Sequence, residues 1–182
     1  MQDLPYSLML ELEKVARKSL PPVDQWLPEN EKDIDLEILP DGTWNYMGTP
    51  IIRRRMIHLF ASVLRKEDED YFLLTPVEKC RIRVADVPFQ IVLMDVEGEG
   101  KHQNLIVTTD MGERLCVNAE HPMRITHKDD QSIPYVSIRN DMEGRMIRNV
   151  YYQLAELVVE KDGKMGVWSG GEFFALALSE SS

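Results

Sequence analysis

The sequence predicts an α+β protein made of two related halves, each a mostly antiparallel sheet with one packed helix, plus a helix at the N-terminus. Three observations predict it. Two stretches carry apolar residues at helical spacing. The rest of the chain alternates with a period of two between Gly, Asp and Pro breaks. The tripeptide Arg55-Met56-Ile57 recurs as Arg145-Met146-Ile147 in a similar setting.

Residues 6–19 carry apolar residues at Leu8, Leu10, Leu12, Val15 and Ala16 and read as an amphipathic helix, which "SLPPVDQWLPE" then breaks. Trp26 in this breaker is expected to pack as a lid or strut. "DIDLEILPDGTWNYMG" reads as a hairpin. Ile34, Leu36 and Ile38 alternate with acids, "PDG" turns the chain, and Trp44 and Tyr46 resume the alternation. Thr49 then fits a helix N-cap and Pro50 the first helical position. The spacing of Ile52, Met56, Phe60, Val63 and Leu64 predicts a helix to about Lys66, ended by the solvated turn "KEDED".

"YFLLTP", "KCRIRVADVPF", "QIVLMDV", "NLIVTTD", "RLCVNA", "MRITH" and "PYVSIRND" follow as short strands, with "EGEGKHQ" and "HKDDQS" as loops. A second helix is expected over roughly 142–160. "KDGK" then turns, and "MGVWSGGEFFALAL" forms a hairpin over Gly170-Gly171. Met56, Ile57, Phe60 and Leu64 match Met146, Ile147, Val150 and Leu154 at one constant offset, so strand–helix–strand reads as used twice. The expected division is 1–86 and 87–182.

The chain has 182 residues, 43% of them hydrophobic and 29% charged, an ordinary soluble globular balance with room for two small domains. Cys80 and Cys116 are too few for a disulfide framework, so a cytoplasmic home is expected. The N-terminus lacks the basic and apolar regions of a signal peptide, and no run is long enough to span a membrane. A net charge of −10 argues against nucleic acid or an anionic membrane as partner.

No nucleophile elbow, phosphate loop, dinucleotide fingerprint or zincin motif occurs. His121 and His127 lie six residues apart, roughly 20 Å on an extended strand, so one metal ion does not reach both without a bulge or turn. Ser169 falls in a hairpin turn without a visible base. Glu78, Asp86 and Glu120 read as loop carboxylates. The basic residues stand out more. Arg53, Arg54 and Arg55 crowd the start of the first helix, where each cation opposes the macrodipole by about 0.3–1 kcal/mol. Arg145 and Arg148 repeat the theme, and Lys79, Arg81, Arg83 and Arg139 lie on nearby strands. These residues either pair with the chain's own acids, such as Glu78, Asp86 or Asp141, or grip an anion by guanidinium forks. Of the first two arginines, Arg53 is expected to reach an anion or an acid, and Arg54 to be a solvated charge.

The ordered motifs "DGTWNYMGTPI-x-R", "LFASVLRKEDEDYFLLTPVEK", "VADVPF", "EHPMRI", "PYVSIR" and "WSGGEFF" resemble a bacterial family catalogued as domain of unknown function number 1285, over roughly residues 20–177. The resemblance implies a core built by duplication and a C-terminal half similar to pleckstrin-homology-like folds, a curved sheet closed by a helix. It also implies a ligand site between the halves, a nucleotide-like ligand and a signalling role, with no activity assigned. Its motif falls on Trp44, Arg53, Thr75, Pro76, Glu78, Lys79, Asp86, Pro88 and Phe89, then on Tyr135, Arg139, Ser169, Gly170 and Gly171.

The expectation is therefore a non-catalytic signalling or regulatory module that binds an anionic, nucleotide-like or otherwise phosphorylated small molecule between its two domains. Arg53, Lys79 and Arg139 would meet the anion, Trp44 or Tyr135 would stack on a base or lie in the core, and Thr75 and Glu78 complete the set. No metal or cofactor is implied. The alternative is a protein-interaction adaptor without a small ligand. A hydrolase built on Glu78, Asp86 and His121 ranks last, for want of a nucleophile–base pair.

Overall fold

The computed structural model describes residues 21–177, and the helix expected over 6–19 lies outside them. The chain divides into two compact units between Asp86 and Val87.

In the N-terminal unit, β1 (Asn30–Ile38), β2 (Trp44–Tyr46) and β3 (Thr49–Pro50) form one meander. The first helix, Arg54–Ser62, follows, and then β4 (Leu64–Glu67), β5 (Asp70–Leu74) and β6 (Glu78–Val84) form a second meander. The sheet order is β3-β2-β1-β6-β5-β4, with β1 and β6 parallel and the other pairs antiparallel. β1 alternates over its second half, after a register irregularity between Asp33 and Glu37. Leu36 and Ile38 are fully buried while Glu31, Asp33 and Asp35 face solvent. Trp44 stacks on Phe60 at 6.2 Å between ring centroids, and Leu64, Leu73 and Leu74 complete the core.

In the C-terminal unit, β7 (Phe89–Glu97), β8 (Asn104–Thr109) and β9 (Arg114–Cys116) form a meander, followed by β10 (Met123–Lys128), β11 (Gln131–Arg139) and β12 (Met142–Met146). The order is β10-β11-β12-β7-β8-β9, with β12 and β7 parallel. Counted from its own first strand, each sheet has the order 3-2-1-6-5-4. The second helix, Arg148–Ala155, comes after the sixth strand, and β13 (Val159–Lys161), β14 (Lys164–Ser169) and β15 (Glu172–Ala177) form a small sheet of their own. Its β15 packs beside β10 and its β14 beside β8.

The duplication is thus a duplication of sheets, and each sheet is mixed, with one parallel pair. The helices do not follow the repeat. The first lies between the third and fourth strands of its sheet and the second lies after the sixth. Met56 is helical and Met146 is the last residue of β12, so the shared tripeptide serves two different structures.

Both helices are shorter than their sequence patterns predict. Thr49 and Pro50 do not cap the first helix. They pair with Tyr46 and Asn45 across a turn in which Met47 and Gly48 both have positive φ. Arg53 is the N-cap instead, with no side-chain capping bond. The helix ends at Ser62 because residues 64–67 pair with β5. Met142–Met146, expected to be helical, forms β12 across a two-residue turn at Asn140-Asp141, both at positive φ. Gly144, awkward in a helix, is at home here. A Cβ on it would lie 3.1 Å from Ile91 Cγ1 and 3.3 Å from Ile138 Cδ1. The expected hairpin over Gly170-Gly171 is present as β14 and β15, and Trp26 is half-buried, its carbonyl accepting a hydrogen bond from Arg65.

Phe60, Leu64, Met146, Val150 and Leu154 are buried as expected, while Met56 is only half-buried. Leu64 and Leu154 are each 0% exposed. Leu64→Ala and Leu154→Ala should each destabilise by about 2–5 kcal/mol in urea unfolding. A loss below about 1 kcal/mol at either position would contradict this packing.

Candidate functional site

The basic residues of β6 meet the acids of β1 along the parallel seam. Arg83 Nη2 lies 2.6 Å from Asp35 and its Nε lies 3.2 Å from Glu37. Arg81 lies 3.4 Å from Glu31 and within 3.9 Å of Asp33 and Asp70. Glu78 pairs with Lys32 at 3.3 Å. This ladder explains why acids alternate along "NEKDIDLEI" and basic residues along "EKCRIRV".

Lys79 and Arg139, read from the sequence as anion contacts, each hold an acid of their own unit. Lys79 pairs with Glu67 and sits 4.2 Å over the Phe72 ring. Glu67 also pairs with Arg65, whose Nη1 donates to the carbonyls of Val23 and Trp26 and so ties the entry segment to β4. Lys79, and after it Arg65, hold the Glu67 carboxyl below the usual carboxylate range, against the opposing effect of burial. Arg139 Nε donates to Glu113 at 3.1 Å, and its guanidinium stacks 5.1 Å from the Phe89 ring.

The aromatic and hydroxyl residues of the expected set are internal. Trp44 is 1% and Tyr135 5% exposed, and Arg124 covers the Tyr135 ring at 4.4 Å. Buried Thr75 accepts from the Val77 and Glu78 amides, which fixes the turn before β6. Arg53 is exposed and forms no ion pair among the described residues, with Glu78 and Asp86 included. Arg54, expected to be the solvated one, does engage a partner.

The Ser169-Gly170-Gly171 turn is a latch. Ser169 Oγ accepts from the Leu105 amide at 2.8 Å and donates to the Val117 carbonyl at 2.6 Å, so its hydroxyl is committed within the protein. Gly170 has φ +59°, and a Cβ there would lie 2.5 Å from Asn118 Cβ. Gln103 adds a bond to the Trp168 carbonyl at 3.0 Å. His121 bonds the Ser137 carbonyl and His127 the Ser132 hydroxyl. No cluster of three or more His, Cys, Asp or Glu suited to a metal ion occurs among the described residues, and no helix there is long and apolar enough to cross a membrane.

A cleft of about 380 Å³ opens in the C-terminal unit, lined by Gln131, Ser132, Ile133, Arg145, Met146, Arg148, Tyr151 and Tyr152. The parallel seam positions it. Met146 is registered against Ile91, and the Ile147 amide donates to the Ile91 carbonyl at 3.1 Å, so the helix begins at Arg148. Tyr151 and Tyr152 lie three and four residues further on, one turn along the helix face that bears Arg148. The lining residues include two arginines and no acid. Arg148 is exposed and without an ion pair among the described residues. Sequence reading noticed both arginines as a repeated theme but placed them on one helix. The Asn-Asp turn before β12 was the signal that separates them.

The fold is that of a duplicated two-domain protein with two topologically equivalent mixed sheets. The chain belongs to the DUF1285 family, whose N-terminal domain matches residues 21–87 and whose C-terminal domain matches residues 88–176, both described as of unknown function. It is similar to the crystal structure of a DUF1285 family protein from Silicibacter pomeroyi DSS-3, with 38% identity, 93% of each chain covered and a TM-score of 0.87. It is also similar to one from Shewanella baltica OS155, with 34% identity over 66% of this chain and 90% of that one and a TM-score of 0.52. No curated protein matches the chain.

Two outcomes test these local assignments. Ser169→Ala leaves the Leu105 amide buried without its acceptor and should destabilise by about 1–3 kcal/mol. An unchanged urea midpoint would remove the latch. Because the folded Glu67 carboxyl titrates below its unfolded value, its contribution to stability is complete above about pH 4.3 and is lost as pH falls through the folded value. Glu67→Gln should therefore flatten this part of the acid limb of stability against pH. An acid limb identical to wild type would contradict the pairing.

Proposed function

We propose that this protein is a non-catalytic regulatory module that binds an anionic, nucleotide-like ligand, and that the ligand's anionic group enters the cleft of the C-terminal unit. One observation carries the reading. In a chain of net charge −10, a cleft of about 380 Å³ is lined by Arg145 and Arg148 with no acid among its walls. Guanidinium forks suit phosphate or carboxylate oxygens. Gln131 and Ser132 offer hydrogen-bonding groups, and Tyr151 and Tyr152 offer ring faces to a planar group.

An anion at Lys79 or Arg139 would have to displace Glu67 or Glu113, whereas one at Arg148 displaces no acid among the described residues. The signalling role rests on the family resemblance alone; in the C-terminal unit six strands are followed by a helix and then by three further strands. A non-catalytic role is favoured by the Ser169 hydroxyl, which is committed to two backbone groups.

Thermal-shift and calorimetric titrations with adenosine monophosphate, inorganic phosphate and inorganic sulfate test the reading. A ligand at 100 times its Kd should stabilise by about 2.7 kcal/mol. Arg148→Ala should weaken binding by roughly 10- to 100-fold, the range expected for a charged hydrogen-bonding group. Lys79→Ala should leave binding intact. Failure of all three probes to bind, or an Arg148→Ala protein that binds as wild type, would overturn it.

A further inference from the structure

The stretch Ile52-Arg53-Arg54-Arg55 and His58 remain outside this reading, and they form a basic, partly apolar surface on the N-terminal unit. All five side chains are exposed, Ile52 at 88%. Arg55 and His58 are three apart and Arg54 and His58 four apart, so they share one face of the first helix, while Phe60 and Ala61 face the core. Arg53 takes the N-cap place, where a short hydroxyl or carboxylate side chain is favoured, and the first turn holds no acid.

Several exposed arginines on the strands are neutralised within their own unit. Arg81, Arg83, Arg114 and Arg124 each pair with an acid of the same unit. Arg53 and Arg55 have no ion pair among the described residues. Cations concentrated against the helix dipole with no acid of the described residues paired to them weaken the helix, and a partner's carboxylates would offset that cost.

We propose that this face docks an acidic segment of a partner protein, with carboxylates meeting Arg53 and Arg55 and an apolar residue packing on Ile52. An apolar anchor beside arginines is the composition of a protein interface. The opposite chemistry, a nucleic-acid surface, needs a basic field extended along a phosphate backbone, whereas this patch is confined to the start of one nine-residue helix.

Fluorescence anisotropy of the full chain at low salt, with a synthetic Glu-rich peptide bearing a central leucine as probe, tests the proposal. Wild type should bind the peptide and release it as salt rises. The double variant Arg53→Glu with Arg55→Glu should weaken binding at least about 10-fold, and Ile52→Ala roughly 3- to 10-fold. The double variant should also melt no lower than wild type, because glutamates suit the first turn of a helix. That result separates lost docking from lost folding. Arg148→Ala should leave peptide binding unchanged, which keeps this surface distinct from the cleft. The proposal is overturned if wild type fails to bind the peptide, if charge reversal has no effect, or if a DNA duplex binds as tightly as the peptide. Sedimentation showing a dimer that charge reversal dissolves would also overturn it, by assigning the face to a second copy.

Discussion

The parallel pairing of the first and last strands of each sheet is the constraint on which the rest depends. Parallel neighbours cannot be joined by a tight turn. In each unit the chain therefore leaves one side of the seam, builds a three-stranded meander, and returns through a second meander to close beside its starting strand. In the N-terminal unit the seam is faced on its solvent side by the ladder of Arg81 and Arg83 against the β1 acids. Each of these pairs is exposed and contributes little alone. Their alternation still fixes register, because a one-residue slip would carry acids into the core. In the C-terminal unit the seam runs at Gly144, where the side chains of Ile91 and Ile138 leave little room for a Cβ.

The same seam determines which charges remain available. Strand β6 places Arg81, Arg83 and Glu78 beside opposite charges, and Lys79 and Arg139 meet Glu67 and Glu113. These basic residues thus complete the fold. Where β12 ends against Ile91, the chain turns directly into a helix, and this places Arg148 and two tyrosines around a cleft that contains no acid. The first helix follows a short strand instead of a capping turn, and its arginines remain on the surface.

The sheets were largely legible because burial on one face imposes a period of two. Glu31, Asp33 and Asp35 alternating with Leu36 and Ile38 leave few other readings. The helices were overread. Ile52, Met56, Phe60 and Leu64 keep helical spacing, yet Leu64 and its neighbours gain more by pairing with Leu73 and Phe72 in a strand. Thr49-Pro50 has the local chemistry of a helix start, but the Met47-Gly48 turn takes both residues into a hairpin. A helix expected from about residue 142 gives way to a strand, because Asn140-Asp141 is a two-residue turn that creates β12 and moves Arg145 off the helix. The cleft was therefore only half visible. Arg145, Met146 and Arg148 stand out in the sequence and Tyr151 and Tyr152 do not, and their convergence depends on long-range pairing with β7, which no local pattern encodes.

The most direct measurement is an amide chemical-shift titration of the whole protein with inorganic sulfate, which reports where an anion settles without presuming the rest of the ligand. The account predicts that the largest changes cluster at residues 131–133 and 145–152, and that they vanish in the Arg148→Ala protein. Changes centred on Lys79 or Arg139, or spread evenly over exposed basic residues, would contradict it.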